Sequence, residues 1–121
     1  MERMGQKIVH FEIMGNDAAK LHKFYAELFG WSIGPAMAEM GNYAMVDAES
    51  SGVAGGIGEE PGGGTRVTLY TQVDDLQATL DKAVALGGKV AMPPTEIPGV
   101  VTFAMFQDPA GNVFGLTKGQ G

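Results

Sequence analysis

Cysteine is absent from the 121-residue sequence, which excludes a disulfide framework, thiolate zinc sites and a cysteine nucleophile. Positive charge is scarce: 8 Lys and Arg stand against 14 Asp and Glu, a formal net charge of -6. A negative field repels nucleic-acid phosphates and anionic membrane surfaces, so neither is an expected partner, and a cationic or neutral small molecule is the more natural one. The same charge also serves simply to keep a small protein soluble. No apolar run approaches the roughly 18 residues of a membrane span. The start, MERMGQK, has no hydrophobic stretch behind its charges, so a cytoplasmic protein without a secretory signal is expected. Dinucleotide fingerprints, zinc-type histidine pairs and a supported Ser-His-Asp arrangement are also missing. What is present is 45% hydrophobic content, enough for one domain that needs neither disulfide nor metal to fold.

Residues 7–14 alternate as a half-buried strand requires: Val9, Phe11 and Ile13 point one way, His10, Glu12 and Met14 the other. Asn16 or Asp17 can then cap a helix whose apolar residues Leu21, Phe24, Tyr25, Leu28 and Phe29 form one stripe, stopped by Gly30. Such a helix covers the Val9/Phe11/Ile13 face and leaves His10 and Glu12 facing away. Three short β-like runs follow, Trp31–Ile33, Asn42–Asp47 and Val53–Ile57, separated by glycine, proline and serine clusters. The segment Glu59–Gly64, EEPGGG, is flexible and polar; without a lysine or a strand-to-helix context it is a linker and not a phosphate loop.

The plan then repeats. Val67, Leu69 and Thr71 alternate with Thr68, Tyr70 and Gln72; Asp74 or Asp75 caps a second helix; Gly87 and Gly88 stop it. Strands are expected at Lys89–Ala91, Val100–Phe106 and Asn112–Leu116, the last two joined by a type I turn at Asp108-Pro109-Ala110-Gly111. A shift of 58 residues superposes His10 on Thr68, Asp17 on Asp75 and Gly30 on Gly88, and a shift of 59 puts Gly56 on Gly115. The chain is therefore a single domain with an internal repeat: module 1 at about residues 7–58, linker 59–64 and module 2 at about 65–118. The connections Gly34–Gly41 and Met92–Gly99 fall at equivalent points and are candidate rim loops. His22 is expected at the solvent boundary, and Trp31 as a core plug.

Two βαβββ modules with this punctuation resemble the vicinal oxygen chelate superfamily, the glyoxalase, bleomycin-resistance and extradiol-dioxygenase group. The stretches VHFEIMGND, KFYAELFGW, VDDLQATLDKAVALGG and FQDPAGNVFGL carry the resemblance, which spans about residues 7–118. It implies an α+β fold in which the two modules form a curved mixed sheet around a ligand or metal cup, and a homodimer. In catalytic members the metal ligands lie on the first and last strands of each module. Here those places fall on His10, Thr68, Gly56 (or Gly55) and Gly115, so one of four keeps a metal-binding side chain.

Threonine is a poor ligand for a divalent metal and glycine offers no side chain. The expected site is therefore a small-molecule pocket between the modules, lined by His10, Glu12, Thr68, Tyr70, Gly56 and Gly115, taking a cationic or aromatic ligand without metal or other cofactor. His10 is either a cup-lining residue hydrogen-bonded to a neighbour, a ligand-binding or acid-base group, or a metal ligand. The alternative function is a metal-dependent lyase or dioxygenase of glyoxalase type using His10, Glu12 and ligands the sequence does not identify. A third is an accessory domain whose partner is another protein.

Overall fold

The computed structural model describes residues 5–119; residues 1–4 of the MERMGQK stretch lie outside these. The chain divides into two compact units. One is Val9–Thr68; the other comprises the described residues from Leu69 onward together with those before Val9.

The Val9–Thr68 unit is built on β1 (Ile8–Gly15) and β3 (Gly55–Glu59), which run parallel from Phe11↔Gly55 to Gly15↔Glu59. The short β2 (Ala44–Val46) pairs antiparallel with the far side of β3. Between β1 and β2 runs α1 (Ala18–Phe29), started by Asp17, whose carboxylate accepts from the Lys20 N–H, and stopped by Gly30 at φ 74. Only glycine adopts that conformation without cost. Asn16, the other cap candidate, instead accepts from the Gly64 N–H at 2.9 Å.

The helix lies on the Phe11 side of the strands. Phe11 meets Trp31 at a ring separation of 5.2 Å, and Trp31 stacks on Tyr25 at 5.5 Å. Trp31, expected as a core plug, is partly buried and packs against Phe11, Tyr25 and Phe29. The expected strand Trp31–Ile33 shrinks to one bridge, Ile33↔Val46, because Gly34 and Pro35 cannot extend a ladder. A four-residue helix, α2 (Ala48–Ser51), occupies the serine-rich connection, capped by Asp47 and closed by Gly52. The apolar stripe of α1 is wider than the surface it covers: Phe24, Leu28 and Phe29 stay more than half exposed.

The other unit carries β4 (Arg66–Val73) from Leu69 on, α3 (Leu76–Ala85), β5 (Lys89–Ile97), β6 (Val101–Gln107) and β7 (Val113–Lys118). Its strand order is β4-β7-β6-β5, with β4 parallel to β7 and the other pairs antiparallel. Both sets of strands are therefore mixed; this one follows the βαβββ plan in full, and in the Val9–Thr68 unit the Ile33 bridge stands where the strand after the helix was expected. Asp75 caps α3 by accepting from the Ala78 N–H. The core is Val73, Leu76, Leu80, Ala104 and Leu116, with Phe106 packed against it.

Two features depart from the sequence pattern. First, β5 extends to Ile97 through Met92–Pro94, which composition marks as a loop. It is an edge strand with bulges on either side of Met92, where prolines lacking an N–H are tolerated. Second, β4 buries its polar alternation: Thr68 and Tyr70 are 1% and 5% exposed, whereas Val67 is 71% exposed. The second helix rests mainly on β5, β6 and β7; on the Leu69 face of β4, Val73 joins Leu76 and Leu80 in the core, while Val67 and Leu69 stay exposed.

Leu80→Ala should cost about 2–5 kcal/mol and Asp75→Ala about 1 kcal/mol. Val67→Ser, despite removing an apolar strand residue, should stay within about 0.5 kcal/mol. Denaturant midpoints of the three variants check the order.

Candidate functional site

Alternation along β1 sends His10, Glu12 and Met14 to the face opposite α1, and three groups from other elements of the same unit meet them there. Tyr43, just before β2, is the first. Its hydroxyl lies 2.7 Å from His10 Nε2, and the two rings are inclined by only 20°. In one tautomer the phenol O–H donates to the imidazole; in the other the ring N–H donates to the phenol oxygen. The Tyr43 ring rests on β3 where that strand has no side chains: a Cβ built on Gly56 would fall inside the ring, and one on Gly58 would lie 2.9 Å from Tyr43 Cδ1. Backbone contacts hold Tyr43 in place, since its carbonyl accepts from the Met37 N–H. Asn42, at φ 54, donates through Nδ2 to the Glu59 carboxylate.

Arg66 is the second group, at the start of β4. Its Nη1 sits 2.8 Å from Glu12 Oε1 and donates to Thr68 Oγ1 at 2.8 Å, while its Nε donates to Glu60 at 3.0 Å. The third is Glu60 itself, which follows β3 and completes the pairing. Arg66, Glu12 and Glu60 are each at most 22% exposed in their side chains, so the ion pairs are shielded from water.

Electrostatics follow from this packing. Burial holds His10 below the ordinary imidazole value of 6.5, with the Glu12 carboxylate pulling the other way. The ring is thus neutral near neutral pH, able to donate at one nitrogen and accept at the other.

Of the residues expected from sequence, the Val9–Thr68 unit brings together His10, Glu12 and Thr68, the last two through Arg66, and sets Gly56 beneath Tyr43. Tyr70 and Gly115 belong to the other unit, where they face each other directly across β4 and β7 with the Tyr70 ring over the glycine. The room over Gly55, Gly56 and Gly115 is taken by the rings of Phe11, Tyr43 and Tyr70. Glu12 is paired with Arg66. His22, expected at the solvent boundary, is partly buried and donates through Nε2 to the Ile57 carbonyl at 2.8 Å.

Sequence reasoning missed Tyr43, Arg66 and Glu60. Arg66 could have been found, as it stands two residues before Thr68 and so on the same face. Tyr43 could not, because its short run has no pattern to define its face. For a metal, β1 supplies two donors, both engaged: His10 with Tyr43, Glu12 with Arg66. Among the described residues no group of three His, Cys, Asp or Glu converges to hold an ion. The donor set therefore does not fit the divalent metal of the catalytic superfamily members.

The model of the Glyoxalase/Bleomycin resistance protein/Dioxygenase superfamily matches residues 7–116. A protein of Mycobacterium tuberculosis named "Putative glyoxylase CFP32" is 32% identical over 111 residues, 87% of this chain and 42% of that protein. "Anthracycline biosynthesis protein DnrV" of Streptomyces peucetius is 28% identical over 89% of this chain and 45% of its own length. The chain thus spans less than half the length of these curated relatives. Among solved structures, hypothetical protein BH1468 of Bacillus halodurans aligns with a TM-score of 0.73 at 12% identity, over 98% of this chain and 97% of that one. Methylmalonyl-CoA epimerase of Mycobacterium tuberculosis aligns at 0.69 with 14% identity, over 94% and 88%. At these identities the structures share the fold alone.

Two outcomes test the site. The His10 ring should titrate below 6.5, and lower still in Glu12→Gln, where the charge that raises it is gone; ring-proton NMR reads both. Because the folded ring sheds its proton more easily than the unfolded one, its contribution to stability is present above pH 6.5 and lost as pH falls through the lower folded value. Gly56→Ala should cost about 1–3 kcal/mol through overpacking against Tyr43. The penalty should shrink in a Tyr43→Ala background, a coupling that a double-mutant cycle measures.

Proposed function

The chain belongs to the glyoxalase/bleomycin resistance protein/dioxygenase superfamily, and we propose that it is a metal-independent member that binds a small aromatic molecule on the β1 face carrying His10, Glu12 and Thr68. The observation that carries this reading is the engagement of both β1 donors by the protein's own groups, Tyr43 and Arg66. A metal would have to break both contacts and would still lack further ligands, because a threonine and two glycines stand at the other places of the repeat.

Between a cationic and an aromatic ligand, the pairing of Glu12 favours the aromatic one. A cation would compete with a guanidinium already 2.8 Å from the carboxylate, whereas an uncharged ring meets no such competitor. Turnover is not required for this function. We read Tyr70 and Gly115, which repeat the places of Glu12 and Gly56, as part of the same binding function. We also read the protein as a cytoplasmic homodimer. The exposed Phe24, Leu28 and Phe29 of α1 support pairing, since a second copy would cover them.

Metal analysis of protein purified without chelator should find metal well below stoichiometric and unchanged in His10→Ala, and ligand binding should persist in excess chelator. Stoichiometric metal that disappears in His10→Ala would overturn the reading in favour of a metal-dependent lyase or dioxygenase.

A further inference from the structure

Resting on the reading of a metal-free aromatic site, we propose that the place now filled by Tyr43 is the ligand's own aromatic subsite, that the ligand carries a phenolic hydroxyl, and that Tyr43 rotates outward to admit it. Among the described residues three rings lie over strand glycines, Phe11, Tyr43 and Tyr70, and of these Tyr43 is built like a replaceable occupant. Phe11 over Gly55 is locked by its contact with Trp31. Tyr70 over Gly115 is buried, at 5% exposed. Tyr43 over Gly56 is only partly buried, at the rim of its sheet, and its neighbour two residues on, Met45, is 48% exposed.

The chemistry of the place selects the ligand. Gly56 and Gly58 make a flat floor the thickness of one ring. At its inner end stands His10 Nε2, 2.7 Å from the Tyr43 hydroxyl. A phenol matches a neutral imidazole in either tautomer, because its hydroxyl both donates and accepts. A ring without a hydroxyl could not replace the 2.7 Å bond that the Tyr43 hydroxyl makes to that nitrogen, at a cost. Arg66 pairs with both Glu12 and Glu60, which leaves negative charge in excess and disfavours an anionic ligand. The Tyr43 backbone can stay where it is. The Met37 N–H bond to its carbonyl and the Asn42 bond to Glu59 fix the main chain, and a change of χ1 alone moves the ring out.

The probe is p-cresol, which reproduces the tyrosine side chain, with toluene as the control lacking the hydroxyl. Binding is measured by calorimetry and by the His10 ring shifts, in excess chelator throughout. A ligand that must evict Tyr43 loses affinity by the fraction of time the place is open, so Tyr43→Ala should bind p-cresol about tenfold more tightly than the unmodified protein. Tyr43→Phe, which keeps the ring but gives up the bond to His10, should gain several-fold. In Tyr43→Ala, p-cresol should outbind toluene by about tenfold, and His10→Ala added to that background should abolish the preference. Equal p-cresol affinity in the unmodified protein, Tyr43→Ala and Tyr43→Phe would overturn the proposal, as would a preference for p-cresol that survives His10→Ala. Should Tyr43→Ala fail to fold by circular dichroism, the Tyr43→Phe comparison decides alone. The metal-free reading fails separately: p-cresol binding that appears only after metal is restored sinks that reading and leaves the subsite standing.

Discussion

An aromatic ring seated on a strand glycine is the contact that organises both units. Glycine leaves a gap in a pleated surface, and a ring from the adjacent strand fills it, recovering the burial that the missing side chain would have supplied. Phe11 covers Gly55, Tyr43 covers Gly56 and Tyr70 covers Gly115. At Gly115 the contact also pins a register, because a slip of one residue would bring Phe114 or Leu116, and with it a Cβ, against the Tyr70 ring. From Phe11 the constraint passes outward to Trp31 and Tyr25, which places α1 on its sheet. From Tyr43 it passes to His10, which sets the chemistry of the opposite face.

That face is polar, and its charged groups are paired with one another. Arg66 ties together Glu12, Thr68 and Glu60, so the carboxylate most available to a cation or a metal is already neutralised. His10, desolvated and only partly compensated by Glu12, stays uncharged near neutrality. The result is a face with hydrogen-bonding capacity whose charged groups are paired within the protein. Superfamily membership does not by itself fix the chemistry of such a face, since one fold carries many chemistries.

Much of the fold was legible because it is encoded locally. Asp17, Asp75 and Gly30 act within a turn or two of their own position, and each does what its residue type favours. The repeat was legible because the same punctuation occurs at a constant shift, and it identified His10 and Thr68 as counterparts. Burial on β4 was not legible. Alternation marks two faces, but which is covered depends on where α3 lands, and it lands on β5, β6 and β7. The length of β5 was obscured by Pro93 and Pro94, whose tolerance depends on the strand being an edge.

The sequence by itself determined the two βαβββ modules, their caps and stops, the place of His10 and Glu12 on one face of the first strand, and the lack of carboxylates at the corresponding last-strand positions. All of these are matters of local conformation or of residue identity at a repeat. Only the tertiary structure decided which partners those residues take. Tyr43 is 33 residues from His10, and Arg66 reaches Glu12 only because strands distant in sequence are brought to the same side of one unit. A side chain's pKa and its availability to a ligand are set by the groups within a few ångströms, and no local pattern along the chain records those distances.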